Sequence, residues 1–126
     1  NNSSLASFSP DGTTLFTAGS RDGIVKRWDA STFAPQKSIA CRSAGVRALD
    51  FSPDGRRLLT VGSGGEIDVW NLATAEAGST FKVGGSTSTG RFIAGGTRLF
   101  IVSDDLLIVN TDTGEVVTRL AAAARI

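Results

Sequence analysis

A chain of 126 residues, 40% apolar and 20% charged, has the composition of one globular domain and is too apolar for a disordered tail. Its formal net charge of +1, with acidic and basic residues interspersed, gives no electrostatic footprint for nucleic acid or an anionic membrane, and neither is expected as a partner. Apolar runs such as Leu99 to Val102 and Leu106 to Val109 fall far short of the ~18 residues that cross a bilayer, and no basic-then-apolar leader opens the chain. The expected setting is the cytoplasm. There is no methionine, so unless an initiator was removed the expectation is an excerpt of something longer.

In chain order the predicted elements begin with a strand from Leu5 to Ser9. The turn Pro10-Asp11-Gly12 follows, then strands from Thr13 to Ser20, Ile24 to Asp29 and Gln36 to Ala40. The same order returns with strands from Val46 to Ser52, Arg57 to Ser63, Glu66 to Leu72 and Ala77 to Val83, the first two joined by Pro53-Asp54-Gly55-Arg56. A third, weaker set runs from Thr87 to Ile93, Thr97 to Ser103, Leu106 to Asn110 and Glu115 to Leu120. β-Branched and aromatic residues fill these runs and Gly, Pro, Asn, Asp and Ser punctuate them, which is the strand-and-hairpin signal. Helical periodicity is never established.

The internal repeat is explicit. Phe8-Ser9-Pro10-Asp11-Gly12 returns 43 positions later as Phe51-Ser52-Pro53-Asp54-Gly55, and each copy leads to a tryptophan, Trp28 before Asp29 and Trp70 before Asn71. A period of about 40 to 45 residues, with a turn early and a tryptophan late, points to four-stranded propeller blades. The fold class expected is therefore all-β, a β-propeller segment of about three antiparallel blades over 1–126, with limits near 3–42, 43–84 and 85–120. Proline pre-sets φ, aspartate bonds local backbone and glycine accepts positive φ, so each Pro-Asp-Gly closes its hairpin tightly.

These residues resemble the WD40 family: FSPDG, a strand ending in Ala18-Gly19-Ser20 or Val61-Gly62-Ser63, the turn Asp22-Gly23, then KRWD and DVWN. The resemblance is close for the first two units and looser for the third. Phe92-Ile93-Ala94-Gly95-Gly96 stands there in place of FSPDG and Val109 in place of tryptophan, and LLIVNTDTGEVVTRL is equally similar to the YVTN class of bacterial propellers. The family's Gly-His pair and its bond to the turn aspartate cannot form, because the chain has no histidine. Gly64-Gly65-Glu66 also replaces Arg21-Asp22-Gly23 in the second unit. Recurrence of Trp28 and Trp70 at one place in two copies predicts rings packed between blades.

With neither histidine nor tyrosine, a Ser-His-Asp or Cys-His arrangement cannot be assembled, and zinc-ligand clusters are absent. Gly84 to Gly90 has the glycines of a phosphate loop but leads into a strand and lacks the Gly-Lys-Ser/Thr ending. Asn110 to Glu115 has oxygen donors at alternate positions without the remaining ligands of a calcium loop, and reads as a turn. Adjacent Asp104 and Asp105 point apart in a hairpin and do not make an acid–base pair. Cys41, the lone cysteine, excludes an intrachain disulfide and is either a small buried hydrophobe, the preferred reading, or a free thiol. No catalytic residue, metal or cofactor is expected.

What varies between copies is loop chemistry, and binding in repeat scaffolds lives on loops held by a rigid frame. The resemblance implies that loops joining second to third strands and loops entering the next blade share one face. On it stand Arg21, Asp22, Arg42, Arg47, Glu66, Asp104 and Asp105, with the 84–89 stretch. A mix of arginines in the first two blades with carboxylates in the third suits a polar protein or peptide partner. Three blades leave two faces uncovered, to be met by remaining blades of a parent chain or by identical subunits joined head to tail. The function expected is a non-catalytic protein–protein interaction scaffold. The alternative is a regulatory or sensor propeller of a larger enzyme (kinase, protease or nucleotide-hydrolysing protein), or a quinoprotein- or peptidase-type propeller. Arginine outnumbering lysine, with abundant alanine and glycine, suggests a bacterial source.

Overall fold

The computed structural model describes residues 4–19, 23–41, 45–62, 64–83, 89–103 and 106–120. Within them lie β1 (Ser4–Phe8), β2 (Thr14–Gly19), β3 (Ile24–Asp29) and β4 (Pro35–Ala40). The next set is β5 (Val46–Phe51), β6 (Arg57–Gly62), β7 (Glu66–Asn71) and β8 (Glu76–Lys82). The last is β9 (Thr89–Ile93), β10 (Arg98–Val102), β11 (Leu106–Asn110) and β12 (Val116–Leu120), with one 3-10 turn at Ala94–Gly96. Each set is a four-stranded antiparallel meander in sequence order. The all-β expectation is met, and the strands fall within one or two residues of their predicted limits.

The sheets stack face to face. Phe16, Ala18, Val25 and Ile39 of the first sheet pack with Val46, Leu58 and Trp70 of the second. Leu59, Val61, Ile67 and Val69 of the second pack with Leu99, Ile101, Leu107 and Val109 of the third. Alternation along a strand is the mark of a sheet covered on one face only, and β2 shows it: Phe16 and Ala18 are buried while Leu15 and Thr17, which alternate with them, are half-exposed. In β6 alternation vanishes, since Leu58, Leu59, Thr60 and Val61 are all buried. The middle sheet is covered on both sides.

First strands of successive sheets lie closest, β1 by β5 and β5 by β9. Fourth strands lie outermost, and every described residue of β12 is exposed. This radial fan is the arrangement of propeller blades.

Turns repeat as faithfully as strands. Asp11 Oδ1 accepts from the Ser9 hydroxyl at 2.7 Å and the Thr13 N–H at 3.0 Å, and Asp54 Oδ1 accepts from the Ser52 hydroxyl at 2.6 Å and the Arg56 N–H at 2.9 Å. Gly12 and Gly55 supply the left-handed backbone at φ 77° and 73°. The third blade reaches the same reversal through Ala94, Gly95 and Gly96, at φ 52°, 67° and 93°. At the other turn of each blade, Asp29, Asn71 and Asn110 each accept the N–H groups two and three residues on, which is why an Asp or Asn trails the tryptophan position.

Candidate functional site

Three surfaces qualify: the loop face named from sequence, the outer faces of the end blades, and a cleft at the opposite end of the strands. On the loop face Arg47 is exposed, at a bulge between Val46 and Ala48. Glu66 is half-buried, its Oε1 accepting the Gly64 N–H at 3.0 Å, so this carboxylate braces its own loop. Both lie at one end of the middle blade. Arg21, Asp22, Arg42, Asp104, Asp105 and residues 84–88 fall outside the described residues. Cys41, at the same end, is half-buried with its Sγ 3.9 Å from the Thr60 hydroxyl, and burial pushes its thiol up to about 11. A thiol held that high is a poor nucleophile near neutral pH.

The outer face of the first blade carries the same residues the second blade buries. Register sets Phe8 opposite Leu15 and Leu15 opposite Trp28, as it sets Phe51 opposite Leu58 and Leu58 opposite Trp70. Leu58 is fully buried and Trp70 is 7% exposed, whereas Phe8 is 56% exposed and Leu15 and Trp28 are half-buried. Trp28 thus only half meets the packing expected of it, because no other sheet among the described residues lies against that face. The outer face of the third blade presents Phe100 opposite Ile108 and Val102 opposite Leu106, the repeat positions at which the second blade has the buried pairs Leu59 and Val69, and Val61 and Ile67.

At the other end, a cleft of about 830 Å³ opens between the first and second blades, lined among others by Asp11, Thr14, Arg27, Asp54, Arg56 and Ala73. The corresponding place between the second and third blades is filled. There Arg57 donates Nη2 to the Gly96 carbonyl and Nη1 to the Asp112 carboxylate, each at 3.1 Å, with its guanidinium 5.9 Å from the Phe92 ring centroid. Thr14 holds the position of Arg57 and Ala73 that of Asp112, so the cleft exists where two side chains are shortened. Its carboxylates stay ionised: the Ser9 hydroxyl, with Thr13, holds Asp11 at about 2, and the Ser52 hydroxyl and Arg56 N–H hold Asp54 below the usual carboxylate range. The cleft is not directly legible in the sequence, where Asp11 and Asp54 read as the turn residues they are. The signal was the mismatch of Thr14 with Arg57 and of Ala73 with Asp112.

Among the described residues no cluster of acidic or cysteine side chains could hold a metal ion, and no helix is long and apolar enough to cross a membrane.

The chain is 30% identical over 112 residues to Apoptotic protease-activating factor 1 of Homo sapiens, which covers 82% of this chain and 9% of that protein. Its fold matches the β-propeller domain of Cps50 (Swd1) from Myceliophteria thermophila with a TM-score of 0.82 at 19% identity, over 94% of this chain and 38% of that one. It matches a chain of Kuenenia stuttgartiensis hydrazine synthase with a TM-score of 0.83 at 22% identity, over 94% and 35%. At such identities both likenesses show the fold alone. The family model for the WD domain, G-beta repeat, matches residues 3–29 and 33–71, more than half of the chain. With its three four-stranded blades, its repeated turns and this match, the chain belongs to the WD40 repeat family.

Proposed function

We propose that the chain is a non-catalytic protein–protein interaction scaffold and a segment of a larger β-propeller, with blades at 3–42, 43–84 and 85–120. The observation that carries the reading is the outer face of the first blade. Phe8, Leu15 and Trp28 repeat the residues with which the second blade packs on the first, so this face is built to receive another blade. Remaining blades of a parent chain supply it, or identical subunits do. The loop residues Arg21, Asp22, Arg42, Arg47, Glu66, Asp104 and Asp105 form the partner surface of the proposal, and the partner is a protein or peptide rather than nucleic acid or membrane. A relative named for activating a protease supports a role exerted through another protein. A cytoplasmic setting belongs to the same proposal, and the lone thiol at Cys41 suits a reducing compartment.

The second reading, a regulatory propeller of a larger enzyme, is favoured by length: the chain spans 9% of the apoptotic factor and 35% of the hydrazine synthase chain, leaving room for other modules.

The test is loop substitution read against folding. Arg47→Ala is expected to change stability by no more than about 0.5 kcal/mol, as exposed substitutions do, while weakening capture of a partner protein. Partner capture unchanged by Arg47→Ala and by the same change at Arg21 and Arg42 contradicts the loop-face assignment. Turnover of an ester, peptide or nucleotide substrate by the purified chain, abolished by a point change within it, contradicts the non-catalytic reading.

A further inference from the structure

Two arginines reach forward into the turn between the third and fourth strands of the next blade, and they end differently. Arg57 of the second blade closes on the Asp112 carboxylate of the third. Arg27 of the first blade donates Nε to the Lys37 carbonyl at 2.7 Å and Nη1 to the Leu72 carbonyl at 3.0 Å, and no described carboxylate pairs with it. The residue after Leu72 is Ala73, at the position of Asp112, and both Arg27 and Ala73 line the cleft. One junction therefore holds an arginine and its carboxylate. The other holds an arginine, a missing carboxylate and about 830 Å³ of space.

We propose that the cleft between the first and second blades binds an acidic side chain of a partner peptide, clasped by Arg27. The inference deepens the scaffold reading and rests on it. A guanidinium carries five N–H donors in a planar fork, and the two used on carbonyls leave the Nη2 edge for a carboxylate. Phe16 and Leu72 in the lining suit the methylene stem of a glutamate, and the Arg56 side chain adds a second positive charge. The carboxylates of Asp11 and Asp54 are committed through Oδ1 to their own turns. They balance the charge of the lining, so recognition is short-range at Arg27 rather than by long-range attraction.

The probe is a fluorescently labelled hexaglutamate peptide, titrated by anisotropy against the whole protein, with hexaglutamine as control. Hexaglutamate is expected to bind and hexaglutamine not to. Arg27→Gln weakens binding by about tenfold or more, the scale of losing a charge-assisted hydrogen bond. Ala73→Asp, which restores to this junction the carboxylate the other one has, weakens it as much while melting temperature holds or rises. Arg57→Gln, at the closed junction, leaves affinity within about twofold. If Arg27→Gln does not fold, Ala73→Asp at its exposed site decides alone. Binding of hexaglutamine, no binding of hexaglutamate, or hexaglutamate affinity unmoved by Ala73→Asp overturns the proposal. Failure here leaves the scaffold reading standing, since that is tested at the loop face at the other end of the strands.

Discussion

The indole N–H of Trp70 donates to the Thr60 hydroxyl at 2.9 Å in the core between the first two blades, and Trp28 repeats the bond to Thr17 at 3.0 Å on an uncovered face. The local chemistry is the same and the surroundings differ, so the pair measures what packing between blades contributes. Trp70→Ala is expected to cost about 3 to 5 kcal/mol, the range for removing a buried aromatic ring. Trp28→Ala is expected to cost less than half as much in the isolated chain at low concentration. Urea unfolding of both variants checks this, and equal costs contradict the assignment of the two faces.

Acid should loosen the Pro-Asp-Gly turns in a defined window. The Ser9 hydroxyl, then the Thr13 N–H and hydroxyl, lower Asp11 from 3.8 to about 2, and the Ser52 hydroxyl lowers Asp54. A carboxyl group more acidic in the folded state stabilises that state fully above its unfolded value, and the contribution is lost as pH falls through the folded one. Melting temperature is therefore expected to fall between about pH 4 and pH 2, and Asp11→Asn or Ser9→Ala to flatten that limb. A limb identical in wild type and Asp11→Asn contradicts the role given to the turn.

Much of the architecture is legible in the sequence because hairpin chemistry is local. Pro10-Asp11-Gly12 and Pro53-Asp54-Gly55 announce their turns, and Trp28 and Trp70 keep their place in the repeat. The third blade reads less clearly because Val109 replaces tryptophan, and its Ala94-Gly95-Gly96 turn rests on successive left-handed residues that no short motif names. Which faces are covered is not local. Leu15 and Leu58 occupy the same position in the repeat, yet one is half-exposed and the other buried, because only the second blade has neighbours on both sides. The junctions are equally hidden: Arg57 and Asp112 are 55 positions apart, and their pairing appears only when two blades are set side by side. Loop residues stand out in the sequence because they vary between copies. At the opposite turns the same variation falls on Thr14 and Ala73, where the neighbouring blades have Arg57 and Asp112.

The most direct measurement is sedimentation equilibrium of the chain at micromolar concentration, for the central claim is that Phe8, Leu15 and Trp28 on one side and Phe100, Val102, Leu106 and Ile108 on the other are blade-packing surfaces awaiting a neighbour. Association into species heavier than one chain is predicted, reverting to the single chain when Leu15→Glu or Ile108→Glu puts a charge on an outer face. A soluble, cooperatively folding monomer whose behaviour neither substitution alters would contradict it.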